Sequence, residues 1–358
     1  MSSADTEAAR PMQTLYGIQY LRAFAALAVV IFHAAERTGQ HFAIGAAGVD
    51  VFFVVSGFIM MTINDRRPTR PLPFLRDRIL RIAPSYWLVT GIMIAGAAVG
   101  LFPNLELSPT HILGSFLFLP VSSPSTGQFW PVLVQGWTLN YEIFFYTLFA
   151  LVLLVRPAVR LPLLTALLTF FVIAGFLLPD RSSMIGFYTE PLILEFAAGA
   201  ALAKLWKHGR LPSPFVGLFL IVLSLAGFSA IHLLKLEFDA LSCGPLAALL
   251  VLGVLTVETG GKLPHLPGLG YVGDASYSIY LWHTLALSVV TKGGTILALP
   301  PLATAMLGIA AGMLIGLIAY ECVERPLHTA IKGRWQNLPR LRRHERTPRT
   351  ARSPARGG

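Results

Sequence analysis

GIQYLRAFAALAVVIFHAAERTGQHFAIGAAGVDVFFVVSGFIMMTIN, residues 17–64, holds two apolar segments, about 18–35 and 45–63, each long enough to cross a bilayer as a helix. Arg22 and His33 lie inside the first of them. An ionisable group at membrane depth is costly, so it belongs on the bundle interior and marks a candidate functional site. Eleven residues at 100° each make three turns plus about 20°, which puts both side chains on one stripe, about 16 Å apart along the axis. A guanidinium near one membrane face and an imidazole near the other suit a substrate that spans the interval.

The rest of the chain has the same character. Its 358 residues are 54% hydrophobic and 13% charged, with a mean hydropathy of +0.65, which excludes a soluble domain. The net charge of +10 is not a nucleic-acid signal, because the basic residues crowd into particular loops and the tail. Periodicity and length predict an all-α polytopic protein of about ten spans: 18–35, 45–63, 84–102, 136–155, 162–178, 188–206, 214–233, 242–257, 276–292 and 300–320. With both termini in the cytoplasm, the inner segments collect Arg66, Arg67, Arg70, Arg76, Arg78, Arg81 and the tail from Arg325. The outer segments keep Arg37, Arg181, Lys235 and Lys292.

Residues 1–16 lack the order of a signal peptide and read as a short cytoplasmic leader without fixed structure. Residues 17–330 form the membrane domain, and 331–358 a basic, disordered cytoplasmic tail. Within the domain, 74–83 suggests an amphipathic surface helix that stops before Pro84. HILGSFLFLP (111–120) is too short to span and reads as interfacial or re-entrant, and 258–275 as a Gly/Pro-rich loop able to shape a ligand mouth. Cys243 and Cys322 have no CxxC or Cys/His context and read as buried structural thiols. No repeat of 20–50 residues stands out, which counts against an inverted-repeat transporter.

The ionisable residues at or near membrane depth are Arg22, His33, Asp50, Glu142, Glu195, His232, His283 and Glu324. The expected topology sorts them into a cationic inner mouth and an upper chamber holding His33, Asp50, Glu142 and Glu195. An imidazole can take a proton from a hydroxyl at neutral pH, and a carboxylate can fix its tautomer. Asp50 and Glu142 are both candidates for that orienting role. Arginines suit a polyphosphate because the planar fork binds phosphate bidentately. Arg78 and Arg81 share a helical face that Arg76 does not, so these two join Arg22 as candidates. Each has a plainer reading as well: Arg22 as an interface anchor, the loop arginines as topology signals, and Ser56-Gly57 as small residues permitting close helix approach. No ligand spacing points to a metal.

Six motifs then fall in order: Arg22-x10-His33, GVDVFFVVSGFIM (48–60), FLRDRILRIAPSYW (74–87), WTLNYEIFFY (137–146), SYSIYLWH (276–283) and VERPL (323–327). Together they resemble the membrane-bound acyltransferase family 3, and the start is most similar to its exopolysaccharide-acetylating branch. The resemblance implies a bacterial inner-membrane enzyme with acyl-CoA, expected to be acetyl-CoA, as co-substrate and no tightly bound cofactor. The implied acceptor is a hydroxyl of a surface polysaccharide or its lipid-linked precursor. His33 carries over as catalytic, with Arg22 as its motif partner, Ser56-Gly57-Phe58 as the second-helix signature and Glu142 as the acid of the fourth span. On this reading His33, Asp50 and Glu142 perform the chemistry and Arg22, Arg78 and Arg81 hold the donor. Ser56, Glu195 and His283 contact substrate. A secondary transporter or flippase using His33 and the acids as a proton relay is the rival.

Overall fold

The computed structural model describes residues 15–178 and 183–336, and every regular element among those residues is a helix, with no strand. The leader to residue 14 and the tail from 337 lie outside the described residues. The opening stretch forms α1 (Tyr16–Arg37) and, after a 3-10 turn at Ala43–Ala47, α2 (Gly48–Arg66). Next come α3 (Pro71–Ala98), α4 (Pro109–Phe116), α5 (Gly136–Val152) and α6 (Pro157–Phe176). The sixth expected span is α7 (Met184–Tyr188) and α8 (Leu194–Lys207), broken where Thr189, Glu190 and Pro191 interrupt the ladder. The chain continues through α9 (Pro214–Leu233), α10 (Ala240–Thr259), α11 (Pro267–Asp274), α12 (Ser276–Ile296), α13 (Pro301–Ala319) and α14 (Arg325–Gln336).

Eight of these segments are long and apolar enough to cross a membrane, which makes a multi-pass membrane protein. All ten expected spans are helical, but α5 has only 17 residues, and α12 carries Ser276, Ser278, His283 and Lys292. Large apolar side chains stand exposed on the outer helices, Phe170, Phe215 and Leu302 among them. No soluble protein leaves so much apolar surface open, whereas lipid covers it without cost.

Small residues draw the interior together. At the α2–α8 crossing, a Cβ on Gly57 would land on the carbonyl oxygen of Phe196, and one on Gly199 on that of Val54. Phe196, held there, stacks on Phe53 and Phe145 at 4.6 and 4.3 Å, tying α2, α5 and α8 into one unit. On the other side Gly316 of α13 packs against Ile279 of α12, and Gly273 of α11 against the backbone of Gln19 in α1.

Four expectations change. α3 runs unbroken through Pro84 for 28 residues, about 42 Å, where a surface helix and a separate span were expected. Inside a bundle, neighbours can satisfy backbone groups near a proline, and the Tyr277 hydroxyl donates to the Ile82 carbonyl at 2.7 Å. α14 runs from Arg325 to Gln336, so the tail expected to be disordered from residue 331 begins as a helix. Cys243 is buried but Cys322 is exposed, and both are free thiols. His111, expected at the interface, is buried on α4 with its Nε2–H 2.9 Å from the Trp130 carbonyl.

The α2–α8 crossing leaves no room for a larger residue. Gly199→Leu should lower the stability of the detergent-solubilised protein by about 1–3 kcal/mol, read from thermal unfolding, because two backbones must separate. An unchanged melting temperature would show that the crossing tolerates side-chain bulk.

Candidate active site

The arginines expected at the inner mouth converge on one cavity of about 520 Å³ between α1, α2, α3, α5 and α12. Arg22 comes from α1, Arg66 from α2, and Arg78 and Arg81 from adjacent turns of α3. The α3 helix points Arg76 elsewhere, and it pairs with Asp77 at 3.0 Å on the surface. Within the cavity Arg22 Nη1–H donates to Gln19 Oε1 at 2.9 Å, and the buried Arg78 Nε–H has no partner among the described residues. None of the four guanidiniums is in an ion pair among the described residues. One carboxylate faces them: Glu142 of α5 accepts from the Ser56 hydroxyl at 3.0 Å and the Tyr146 hydroxyl at 2.8 Å. Away from the arginines the walls become apolar, with Val49, Phe52 and Phe53.

His33 opens onto a second, smaller cavity of about 170 Å³, shared with Asp50, Gln135, Trp137 and Asp239. Its side chain keeps 26% of its surface exposed, and Nδ1 lies 3.4 Å from Glu36 Oε2 one turn along. Its ring stacks on that of His283, centroids 5.3 Å apart and planes at 30°. His283 is fully buried, its Nδ1–H donating to the Ile279 carbonyl at 3.0 Å, so Nε2 carries the lone pair and has no partner among the described residues. Arg37 clamps the two helices beside this pair, donating from α1 to Thr284 O at 3.1 Å and Ser288 Oγ at 2.7 Å on α12.

Val49 and Tyr280 line both cavities and form the wall between them. The Tyr280 hydroxyl is fixed by Thr138 Oγ1 at 3.0 Å and the Gln135 carbonyl at 3.3 Å. A single open channel from Arg22 to His33, expected from the helical stripe, is therefore interrupted by one aromatic side chain.

The structure thus brings Arg22, Arg78, Arg81, Ser56 and Glu142 to one chamber and His33 and Asp50 to another, with His283 buried behind His33 and lining neither. Glu142, expected beside His33, sits instead among the arginines. Neither it nor Asp50 bonds to the imidazole. The carboxylate that does is Glu36, which lies one residue beyond the expected end of the first span and was not among the candidates. Glu195 lines neither cavity: it is buried against Gly244, its carboxylate oxygens lack a partner among the described residues, and Asp50 is the acid it interacts with. The stacking of His283 on His33 was also missed, since it depends on the register of α1 against α12.

Comparison with known proteins gives a consistent result. An acyltransferase domain family matches residues 15–321. The chain is 53% identical over 298 residues to the exopolysaccharide production protein ExoZ of Rhizobium meliloti (strain 1021), covering 83% of this chain and 94% of that one. It is 26% identical to the peptidoglycan O-acetyltransferase OatA of Listeria monocytogenes, over 87% of this chain and 55% of the relative, so it spans about half of that longer protein. The O-acetyltransferase OatA of Staphylococcus aureus (strain NCTC 8325 / PS 47) is 22% identical, over 90% of this chain and 60% of the relative. No solved structure matches the chain.

The bonds at Glu142 make a stability prediction. Glu142→Gln keeps an acceptor for both hydroxyls and should cost under about 1 kcal/mol, whereas Glu142→Leu orphans two buried hydroxyls and should cost about 2 kcal/mol. Thermal unfolding in detergent separates the cases, and equal shifts would show that the hydroxyl contacts contribute nothing.

Proposed function

This chain belongs to the acyltransferase family 3, and from that premise we propose that it moves an acetyl group from acetyl-CoA to a hydroxyl of a surface polysaccharide or its lipid-linked precursor at the bacterial inner membrane. The observation that carries the donor assignment is the convergence of four guanidiniums, none ion-paired among the described residues, on one cavity whose far end is apolar. A diphosphate satisfies such a cluster bidentately, and a pantetheine arm suits the apolar end. The names of ExoZ and the two OatA proteins support a polysaccharide acceptor. Family membership favours this reading over a transporter. The positive-inside pattern supports a cytoplasmic opening for the arginine cavity, on the side where coenzyme A is made.

The reaction then follows from the two chambers. Coenzyme A phosphates rest among Arg22, Arg78 and Arg81, and the thioester passes Val49 and Tyr280 toward His33. Glu36 accepts from His33 Nδ1–H, which leaves Nε2 as the base. Nε2 takes the proton of the acceptor hydroxyl as its oxygen attacks the thioester carbonyl. The tetrahedral intermediate collapses by breaking the carbon–sulfur bond, and the thiolate receives the proton from the imidazolium. His283 holds the ring from behind, and Ser56, Tyr146 and Glu142 form the polar waist through which the arm runs.

Two experiments test this. His33→Ala should abolish acetylation of deacetylated polysaccharide by the purified protein in proteoliposomes, and Arg22→Ala should raise KM for acetyl-CoA about tenfold. Wild-type turnover in the first variant removes the base, and unchanged donor KM in the second moves the phosphates elsewhere. The partition makes a separate forecast: Tyr280→Trp should lower kcat at least tenfold with donor KM near wild type, because binding precedes passage. A fall in affinity without a fall in kcat would place Tyr280 in the donor seat rather than in the path.

A further inference from the structure

A third cavity, of about 300 Å³, opens beneath the arginines and shares Gln19, Arg22 and Arg81 with the main chamber. Its remaining walls come from elements outside the proposed reaction: Asp274 at the end of α11, Tyr320 and Glu324 from a π-helical turn, and Arg325 and His328 from α14. A π turn inside a helix is rare and concentrates at functional sites, because the extra residue re-aims the side chains around it. Here it turns Glu324 inward to accept from the Ser278 hydroxyl at 2.6 Å, while Tyr320 stays at the cavity wall. Arg325 pairs with Glu321 at 2.6 Å and lies over the Tyr320 ring at 5.8 Å.

The chemical mixture is specific. A bare phosphate or an anionic lipid headgroup needs cations alone, and carboxylates repel it. A purine nucleotide needs guanidiniums for phosphate, an aromatic face for the base and a carboxylate to accept from its exocyclic amine. This cavity presents all three, and Arg22 and Arg81 face both it and the main chamber, so the two arginines can grip one extended molecule that reaches from one space to the other.

We propose that this vestibule seats the nucleotide end of the donor, with the 3′-phosphorylated adenosine over Tyr320, its exocyclic amine on Asp274 and its phosphates between Arg325 and the Arg22–Arg81 pair. This rests on the donor being a coenzyme A thioester. The main chamber then holds the pantetheine arm, and Arg22 and Arg81 grip the diphosphate at the join.

The test compares acetyl-CoA with S-acetylpantetheine, which keeps the thioester and lacks the nucleotide. The ratio of their kcat/KM values is measured in neutral-lipid proteoliposomes with deacetylated polysaccharide as acceptor. Wild type should favour acetyl-CoA, and Asp274→Asn and Arg325→Gln should each lower the ratio about tenfold. A partly misfolded variant loses activity with both donors equally, so the ratio reports the nucleotide contact itself. A ratio that stays at the wild-type value in both variants overturns the proposal. So does a loss seen only when the vesicles contain anionic lipid, which identifies a headgroup site. A wild-type protein that transfers from neither donor sinks the coenzyme A reading first, and the vestibule assignment falls with it.

Discussion

A guanidinium facing a cavity inside a helix bundle needs water, an anion or a carboxylate, and Arg22, Arg66, Arg78 and Arg81 line one space whose described lining holds a single acid, Glu142. Desolvating such a group costs several kcal/mol even after relaxation. Arg66 and Arg81 are exposed, so the constraint falls on the half-buried Arg22 and Arg78, and the helices around these two have to stand apart. Stability has to come from elsewhere in the bundle. It comes from the tight crossings: Gly57 and Gly199 bring the backbones of α2 and α8 into contact, and Gly316 does the same for α13 against α12. Tight flanks and an open centre are two halves of one solution.

Much of this was legible before any coordinates. The 100° rule placed Arg22 and His33 on one stripe, and the same rule separated Arg78 and Arg81 from Arg76, which points out to Asp77. The ten apolar segments are all helical because each is long enough that burying its backbone requires internal hydrogen bonding. What escaped was set by contacts between helices. Pro84 is a helix breaker by local rules, yet α3 continues through it within a packed bundle. Glu142 was placed beside the imidazole by counting residues from the span ends. Its partners, Ser56 and Tyr146, hold it in the arginine chamber instead, and the packing of α5 against α2 that does so is not encoded in the local sequence. The imidazole pair is a similar case, because His33 and His283 are 250 residues apart and meet through the Arg37 clamp and the small residues of α13.

The partition at Val49 and Tyr280 has a consequence for the chemistry. A thioester is stable to a dry apolar wall and labile to water beside a base. In the proposed reaction, keeping the arginine chamber apart from the imidazole keeps a bound thioester from hydrolysis until an acceptor is in place. The device is cheap because it uses one side chain. Its hydroxyl is held by Thr138 and the Gln135 carbonyl, two hydrogen bonds worth about 1 kcal/mol each in net terms.

That cheapness also says which end of the molecule governs opening. The donor side of the wall is apolar, so an arriving arm gains little by displacing Tyr280 from its partners. On the other side, Gln135 and Trp137 line the small cavity together with His33 and Asp50, and Gln135 supplies one of the two bonds that hold the hydroxyl. A sugar entering there brings hydroxyls that compete for the same carbonyl. The acceptor, in the proposed reaction, is then the ligand with differential affinity for the open state, and only such a ligand can shift the equilibrium. Donor binding fills the chamber, and acceptor binding joins it to the base.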